Sequence, residues 1–235
     1  MTTNPAKLQI RRANHRFHSN HGWLNSFHTF SFGGHDHPDH RGFGCLRVIN
    51  DDTVAPGQGF GSHPHRFMEI FSYVISGELE HKDSMGNGRT IKAGEFQYMS
   101  AGSGVEHSEF NPSSENPVHF LQIWLQPNNP GGEPRYHDYD LFAHAAGRPL
   151  TLIASPDGRD GSIAIRAEGD IFFGQLESGK SLTKSSSRDR HWLHLIYGEL
   201  TIEGETLLPG DGVAIEGDLP EIVSNQESSF FLFSL

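Results

Sequence analysis

What this chain lacks narrows it first. It holds one cysteine, Cys45, in 235 residues. No internal disulfide can form, and no set of thiolates is available for a structural zinc. That usage fits a reducing, cytoplasmic compartment, and Cys45 itself reads as a small hydrophobe in an apolar strand. No apolar run nears the ~20 residues of a membrane-spanning helix, and residues 1–9 contain no apolar signal-peptide core. Basic charge is scarce, with 18 Lys and Arg against 29 Asp and Glu and a formal net charge of −11. Such a surface repels phosphate backbones and anionic lipid, so neither direct nucleic-acid binding nor membrane association is expected. Long helical periodicity is absent, as are a Ser-His-Asp signature, a phosphate loop and a dinucleotide fingerprint.

What is present is β grammar. Gly (27) and Phe (17) are abundant, and short β-branched or aromatic runs alternate with Gly-, Pro- and Asn-rich turns. Strands are expected at 8–13, 28–32, 43–50, 68–77, 96–99 and 118–125, with residues 51–57 as a turn ending in Pro56-Gly57. Residues 127–134 hold three prolines and two glycines, the best candidate for a domain boundary. Beyond it the pattern recurs. Ile75-Ser76-Gly77-Glu78-Leu79 is echoed by Ile196-Tyr197-Gly198-Glu199-Leu200, and Ala93-Gly94-Glu95 by Pro209-Gly210-Asp211. The expectation is an all-β protein of two tandem barrels with few short helices, split at 1–133 and 134–235, monomeric, with strand exchange between the halves left open.

The chemistry concentrates between residues 57 and 109. His63-Pro64-His65 and His107-Ser108-Glu109 each place two ligand types at i and i+2, on one face of an extended strand. Glycines 57, 59, 61, 102 and 104 let backbone pass close to such a site. If the strands between fold the ends together, His63, His65, His107 and Glu109 converge. Imidazoles with a carboxylate suit one divalent first-row metal, with iron first and manganese, cobalt, nickel, copper and zinc as alternatives. Four protein ligands leave open positions for a substrate or O₂. Pro64 lacks an N–H, so its strand belongs at an edge or a bulge. Glu69 is a second carboxylate near His65. The His35-Asp36-His37-Pro38-Asp39-His40 segment reads as a polar loop. His191 and His194, at i and i+3, face opposite ways on a strand, so the second half is expected to hold no metal.

These residues resemble the cupin superfamily: Gly57, then His63-x-His65, then Glu69, and later Gly104-x-x-His107 with Asn111. A closer resemblance is to the pirins, a bicupin family. It rests on Asn20-His21-Gly22-Trp23-Leu24, Gly61-Ser62-His63-Pro64-His65-Arg66, His81-Lys82-Asp83-Ser84 and the stretch from Ala101 to Glu109. The resemblance implies metal ligands His63, His65, His107 and Glu109, where general cupins would use the earlier carboxylate, here Glu69. It also implies a metal-free second cupin. Some bacterial pirins are quercetin 2,3-dioxygenases, and others act as regulators through protein partners. The implied activity is opening of a flavonol ring with O₂ and release of CO, with Glu109 taking the proton of the 3-hydroxyl. The alternative is a metal-dependent regulatory protein with a protein partner. Because histidine binds metal only as neutral imidazole, activity is expected to fall in mild acid.

Overall fold

The structure, a computed structural model, describes residues 6–235. Residues 1–5, part of the stretch read for a signal peptide, lie outside the described residues. Among the described residues no helix is long and apolar enough to cross a membrane.

The chain is built almost entirely of strands. After β1 (Lys7–Arg11) come β2 (Phe17–Asn20), β3 (Leu24–His28), β4 (Leu46–Val54), β5 (Gly59–His65), β6 (Glu69–Ser76), β7 (Glu78–Asp83), β8 (Gly88–Lys92), β9 (Glu95–Ser100), β10 (Val105–Phe110), β11 (Val118–Leu125) and β12 (Arg135–Asp140). Then follow β13 (Leu150–Ser155), β14 (Ile163–Ala164), β15 (Asp170–Leu176), β16 (Ser181–Leu182), β17 (Arg190–Tyr197), β18 (Leu200–Ile202), β19 (Glu205–Leu207), β20 (Gly212–Glu216), β21 (Ile222–Ser224) and β22 (Ser228–Ser234).

They make two barrels. The first comprises Phe17–His144 with Ile165–Ala167. Its sheets run β12-β9-β6-β11-β4-β3-β2 and β5-β10-β7-β8. The second comprises the described part of Met1–Arg16 with Ala145–Ala164 and Glu168–Leu235. Its sheets, β1-β20-β17-β22-β15-β13-β14 and β16-β21-β18-β19, repeat the first order strand for strand. The expected all-β fold and internal duplication are therefore both present. In each barrel the core lies between the two sheets. Val54, Val74, Val118 and Phe120 meet Leu79 and Ile91 in the first, and Leu193, Leu195 and Phe230 meet Leu200, Ile202 and Ile222 in the second. Each such side chain contributes about 1.5–3 kcal/mol by leaving water.

The bounds differ from 1–133 and 134–235. β12 pairs with β9, in the first barrel, and β1 pairs with β20, in the second. Each barrel's outer strand is thus the segment that precedes the other barrel in the chain. The physical reason is edge protection, since β9 and β20 would otherwise present unpaired backbone N–H and C=O groups.

Local boundaries also differ. The strand expected at 28–32 ends at His28, and Cys45 lies half-buried in a turn, one residue before β4 starts. Residues 51–54, read as a turn, continue β4. Pro64 sits as its chemistry requires, because β5 is an edge strand.

β6 stops at Gly77, whose φ of +80° favours glycine. A Cβ there would meet the Pro117 carbonyl oxygen at 2.7 Å, whereas at Gly86, φ +94°, it would meet nothing within 4 Å. Gly86→Ala should therefore cost about 1 kcal/mol from backbone strain alone, and Gly77→Ala at least about 1 kcal/mol more. Urea-denaturation midpoints of the two variants measure the difference.

Candidate metal centre

β5 brings His63 and His65, and β10 brings His107 and Glu109. The two strands pair antiparallel, with His65 opposite Val105 and His63 opposite His107. A bulge then puts Phe60 opposite Glu109. This register clusters the three imidazoles, with ring centroids 4.5 Å apart for His63–His107 and 4.8 Å for both His63–His65 and His65–His107. Ligand atoms of all three lie within 4.8 Å of one another. Glu109, one step beyond the bulge, groups instead with His107 and His81. The four expected ligands therefore stand as three plus one, with His107 common to both groups.

The hydrogen bonds assign the nitrogens. His63 Nδ1 lies 2.8 Å from the Gly61 carbonyl oxygen. That oxygen can only accept, so Nδ1 carries the proton and Nε2 keeps its lone pair. His107 is 2% exposed, and its Nε2 has no hydrogen-bond partner. Its Nδ1 is 3.5 Å from His81 Nδ1. Gln97 Nε2 donates to that same His81 nitrogen at 3.0 Å, and His81 Nε2 donates to Asp83 Oδ2 at 3.2 Å. Burial pushes the Asp83 carboxyl up, but hydrogen bonds from Asn87 and His81 outweigh it and hold the group below its ordinary value. Asp83, His81 and His107 thus form a chain that leaves His107 Nε2 as a bare, buried lone pair. An orphaned ring nitrogen beside two further imidazoles fits a divalent metal ion.

Burial, aided by His107 and His63, lowers His65 to about 4. Burial, aided by His63 and His81, lowers His107 to about 3. These two rings stay neutral through mild acid. The expected loss of activity there is accordingly not set by either of them, because desolvation moves their protonation to lower pH.

Glu109 is 2% exposed and accepts from Ser72 Oγ at 2.9 Å and Gln122 Nε2 at 2.7 Å. Those donors belong to a polar row that crosses six neighbouring strands in register: His28, Asn50, Gln122, Ser72, Gln97, Asp138. Counting from Gly77 and Gly198, the equivalent row of the second barrel is Leu152, Phe172, Leu232, Leu193, Val213, Ile10. Where His81 pairs with Glu109, the second barrel pairs Ile202 with Ile222. At each of these positions the second barrel carries a hydrocarbon side chain, and among the described residues it contains no group of three metal-ligating side chains.

Glu69 is in neither ligand group. It is 1% exposed and accepts from Tyr98 Oη, from Ser100 Oγ at 2.6 Å and from the Arg166 backbone N–H at 3.0 Å. The histidines at 35–40 lie on the surface: His35 stacks on Phe17 at 5.3 Å and His37 on His40 at 5.0 Å, around a 3₁₀ turn at Pro38–His40. His191 and His194 are buried in β17, with His191 Nδ1 3.0 Å from Ser234 Oγ.

A cavity of about 480 Å³ opens on His63, His65 and Glu109. Trp23, Phe32, Phe60 and Trp124 form its aromatic walls. Trp23 meets Phe60 edge-on at 5.2 Å, and Phe32 meets Trp124 at 5.5 Å. Ser26, His28, Asn50, Asp52 and Gln122 supply its polar side. The sequence reading missed these polar residues. The available signal was the i, i+2 spacing of Asn50 and Asp52 between Val48 and Val54, which places both on one strand face.

Two barrels of identical strand order, with a histidine cluster in the first alone, define a bicupin with a single metal-type centre. Residues 9–125 match the Pirin family and residues 152–235 the quercetinase C-terminal cupin domain. The chain is 44% identical over 230 residues to the quercetin 2,3-dioxygenase of Escherichia coli strain K12, covering 97% of this chain and 98% of that protein. The chain belongs to the pirin family. The crystal structure of the E. coli bacterial pirin YhhW in complex with nickel(II) superposes with a TM-score of 0.92 at 42% identity, covering 97% of this chain and 99% of that one. The E. coli protein YhaK superposes with a TM-score of 0.73 at 29% identity, covering 92% and 96%.

The depressed His107 has a consequence for stability. Between about pH 6.5, the ordinary value, and about 3, the unfolded chain binds a proton that the folded one refuses. Its contribution therefore falls as pH falls through that window, by at most ~1.4 kcal/mol per pH unit. In chelated, metal-free protein, the stability difference between the parent and His107→Asn should fall steadily from pH 6.5 to 4. Denaturant titrations at four pH values measure it.

Proposed function

We propose that the protein is a metal-dependent dioxygenase of flavonols, opening the heterocycle with O₂ and releasing CO. The observation that carries this is the cluster of three imidazoles, one with an orphaned Nε2, of which His63 and His65 line an aromatic-walled cavity. The 44% identity to a quercetin 2,3-dioxygenase supports the choice of substrate class. A volume of about 480 Å³ is in the range of pockets that bury a small aromatic molecule.

His63, His65 and His107 hold the ion, with Glu109 beside them as the fourth ligand and as the base. When bound, the metal supplies Lewis acidity toward the substrate hydroxyl and open positions beside it. Glu109 takes the proton of the flavonol 3-hydroxyl. Ser72 and Gln122 hold its carboxylate in one orientation, so no reorganisation is needed at proton transfer. Trp23, Phe60, Phe32 and Trp124 grip the planar rings and exclude water from the ring that opens.

Iron heads the candidate metals, since imidazoles with a carboxylate and open positions suit non-haem iron, and the same donors accept nickel and the other first-row ions. The single cysteine and the charge of −11 support a soluble, cytoplasmic monomer that does not bind nucleic acid directly.

Oxygen uptake with quercetin on iron-loaded protein tests the proposal. His63→Ala should lose the metal and the activity. Glu109→Gln should keep a substantial fraction of the metal while kcat drops about 100-fold or more, the usual scale for a lost base. Full turnover in both variants would rule the mechanism out. Stoichiometric metal with no turnover in the parent protein would favour the regulatory alternative.

A further inference from the structure

The polar side of the cavity contains a carboxyl group that neither the metal centre nor the fold explains. Asp52 is 4% exposed and lines the cavity. Its Oδ1 accepts a hydrogen bond from Ser26 Oγ. Its Oδ2 has no hydrogen-bond partner among the described residues. Two residues earlier on the same face of β4, Asn50 Oδ1 accepts from His28 Nδ1 at 2.8 Å. Among the described residues no protein group accepts from Asn50 Nδ2. Asn50 and Asp52 therefore offer the cavity two polar atoms that no protein group engages, at residues about 7 Å apart along the strand. A polar atom left free to face a cavity is available to hydrogen-bond what enters it.

The fold does not demand this carboxyl. Asp52 pairs with Ser26 and Phe120, and the equivalent residue of the second barrel is Gly174, paired with Leu150 and Phe230. A barrel of the same order closes there with no polar atom at all.

We propose that Asp52 and Asn50 form a substrate-contacting subsite, in which Asp52 Oδ2 hydrogen-bonds a phenolic hydroxyl of the aromatic ligand other than the one presented to the metal. The ligand class follows from the surroundings. A cationic group would be repelled by the metal ion that the three imidazoles would hold, and an anion is repelled by Glu109, which lines the same cavity. A neutral hydroxyl can both donate to a carboxylate and accept from a carboxyl. Burial first, then Asp51 and Glu109, push Asp52 up to about 7, so both forms are available near neutrality. The subsite would select polyhydroxylated over bare ring systems, and it rests on reading the cavity as a flavonol pocket.

The test compares quercetin with 3-hydroxyflavone, which keeps the 3-hydroxyl and lacks the ring hydroxyls. Dissociation constants are read from tryptophan fluorescence quenching on metal-loaded protein, and KM and kcat from oxygen uptake. Asp52→Ala should weaken quercetin binding about tenfold or more, with under twofold change for 3-hydroxyflavone and unchanged metal content. Asp52→Asn, nearly isosteric, should lower the quercetin preference at least threefold and decides the matter if the alanine variant does not fold. An equal effect on both ligands, no effect on either, or a parent protein that binds both ligands alike overturns the proposal. Absence of turnover in the parent would count against the proposed function, while the binding ratios would still decide the role of Asp52.

Discussion

Desolvation of imidazole lone pairs is the constraint on which this structure turns. His107 Nε2 is buried with no protein partner, and His63 and His65 crowd around it at ring distances under 5 Å. Burial cannot remove these nitrogens, and it resists protonating them, since charging His65 or His107 is disfavoured until pH about 4 or 3. A divalent cation satisfies all three at once. The surrounding hydrogen bonds serve the same end. Gly61 fixes the His63 tautomer, the Asp83–His81 pair backs His107, and Ser72 with Gln122 orients Glu109.

The duplication supplies an internal control. The two barrels share strand order and a left-handed glycine after the long central strand, Gly77 in one and Gly198 in the other. Only the first carries a polar row across the face of its long sheet. Ser72 and Gln122 correspond to Leu193 and Leu232, and Glu109 to Ile222. Restoring two histidines to the second barrel would not rebuild a metal centre, because the positions of Ser72 and Gln122, the donors to Glu109, are held there by Leu193 and Leu232. Conversely, the polar row of the first barrel is a cost to folding, offset by function rather than by packing.

Much of this was legible in the sequence, for identifiable reasons. His63-x-His65 and His107-x-Glu109 announced themselves because period 2 puts each pair on one face of a strand, and Pro64 marked an edge because it cannot donate to a ladder. The separation of Glu109 from His63 and His65 was hidden, since the bulge exists only once β5 and β10 are paired. Asn50 and Asp52 fell on either side of a misplaced boundary, Asn50 ending the expected strand and Asp52 inside the expected turn, because Asp51-Asp52 just before Pro56-Gly57 looks solvated. Strand exchange between the halves stood open in the sequence, and the part taken by β1 and β12 could not be read there because edge pairing depends on which strands end up unprotected.

The central claim is that one chain holds one metal ion, in the first barrel, on His63, His65 and His107. Anomalous diffraction from metal-loaded crystals tests it most directly. The account predicts a single anomalous peak per chain within coordination distance of those three imidazoles and none in the second barrel. A peak between β16 and β21, or full metal loading with no density at the His107 Nε2, would contradict it.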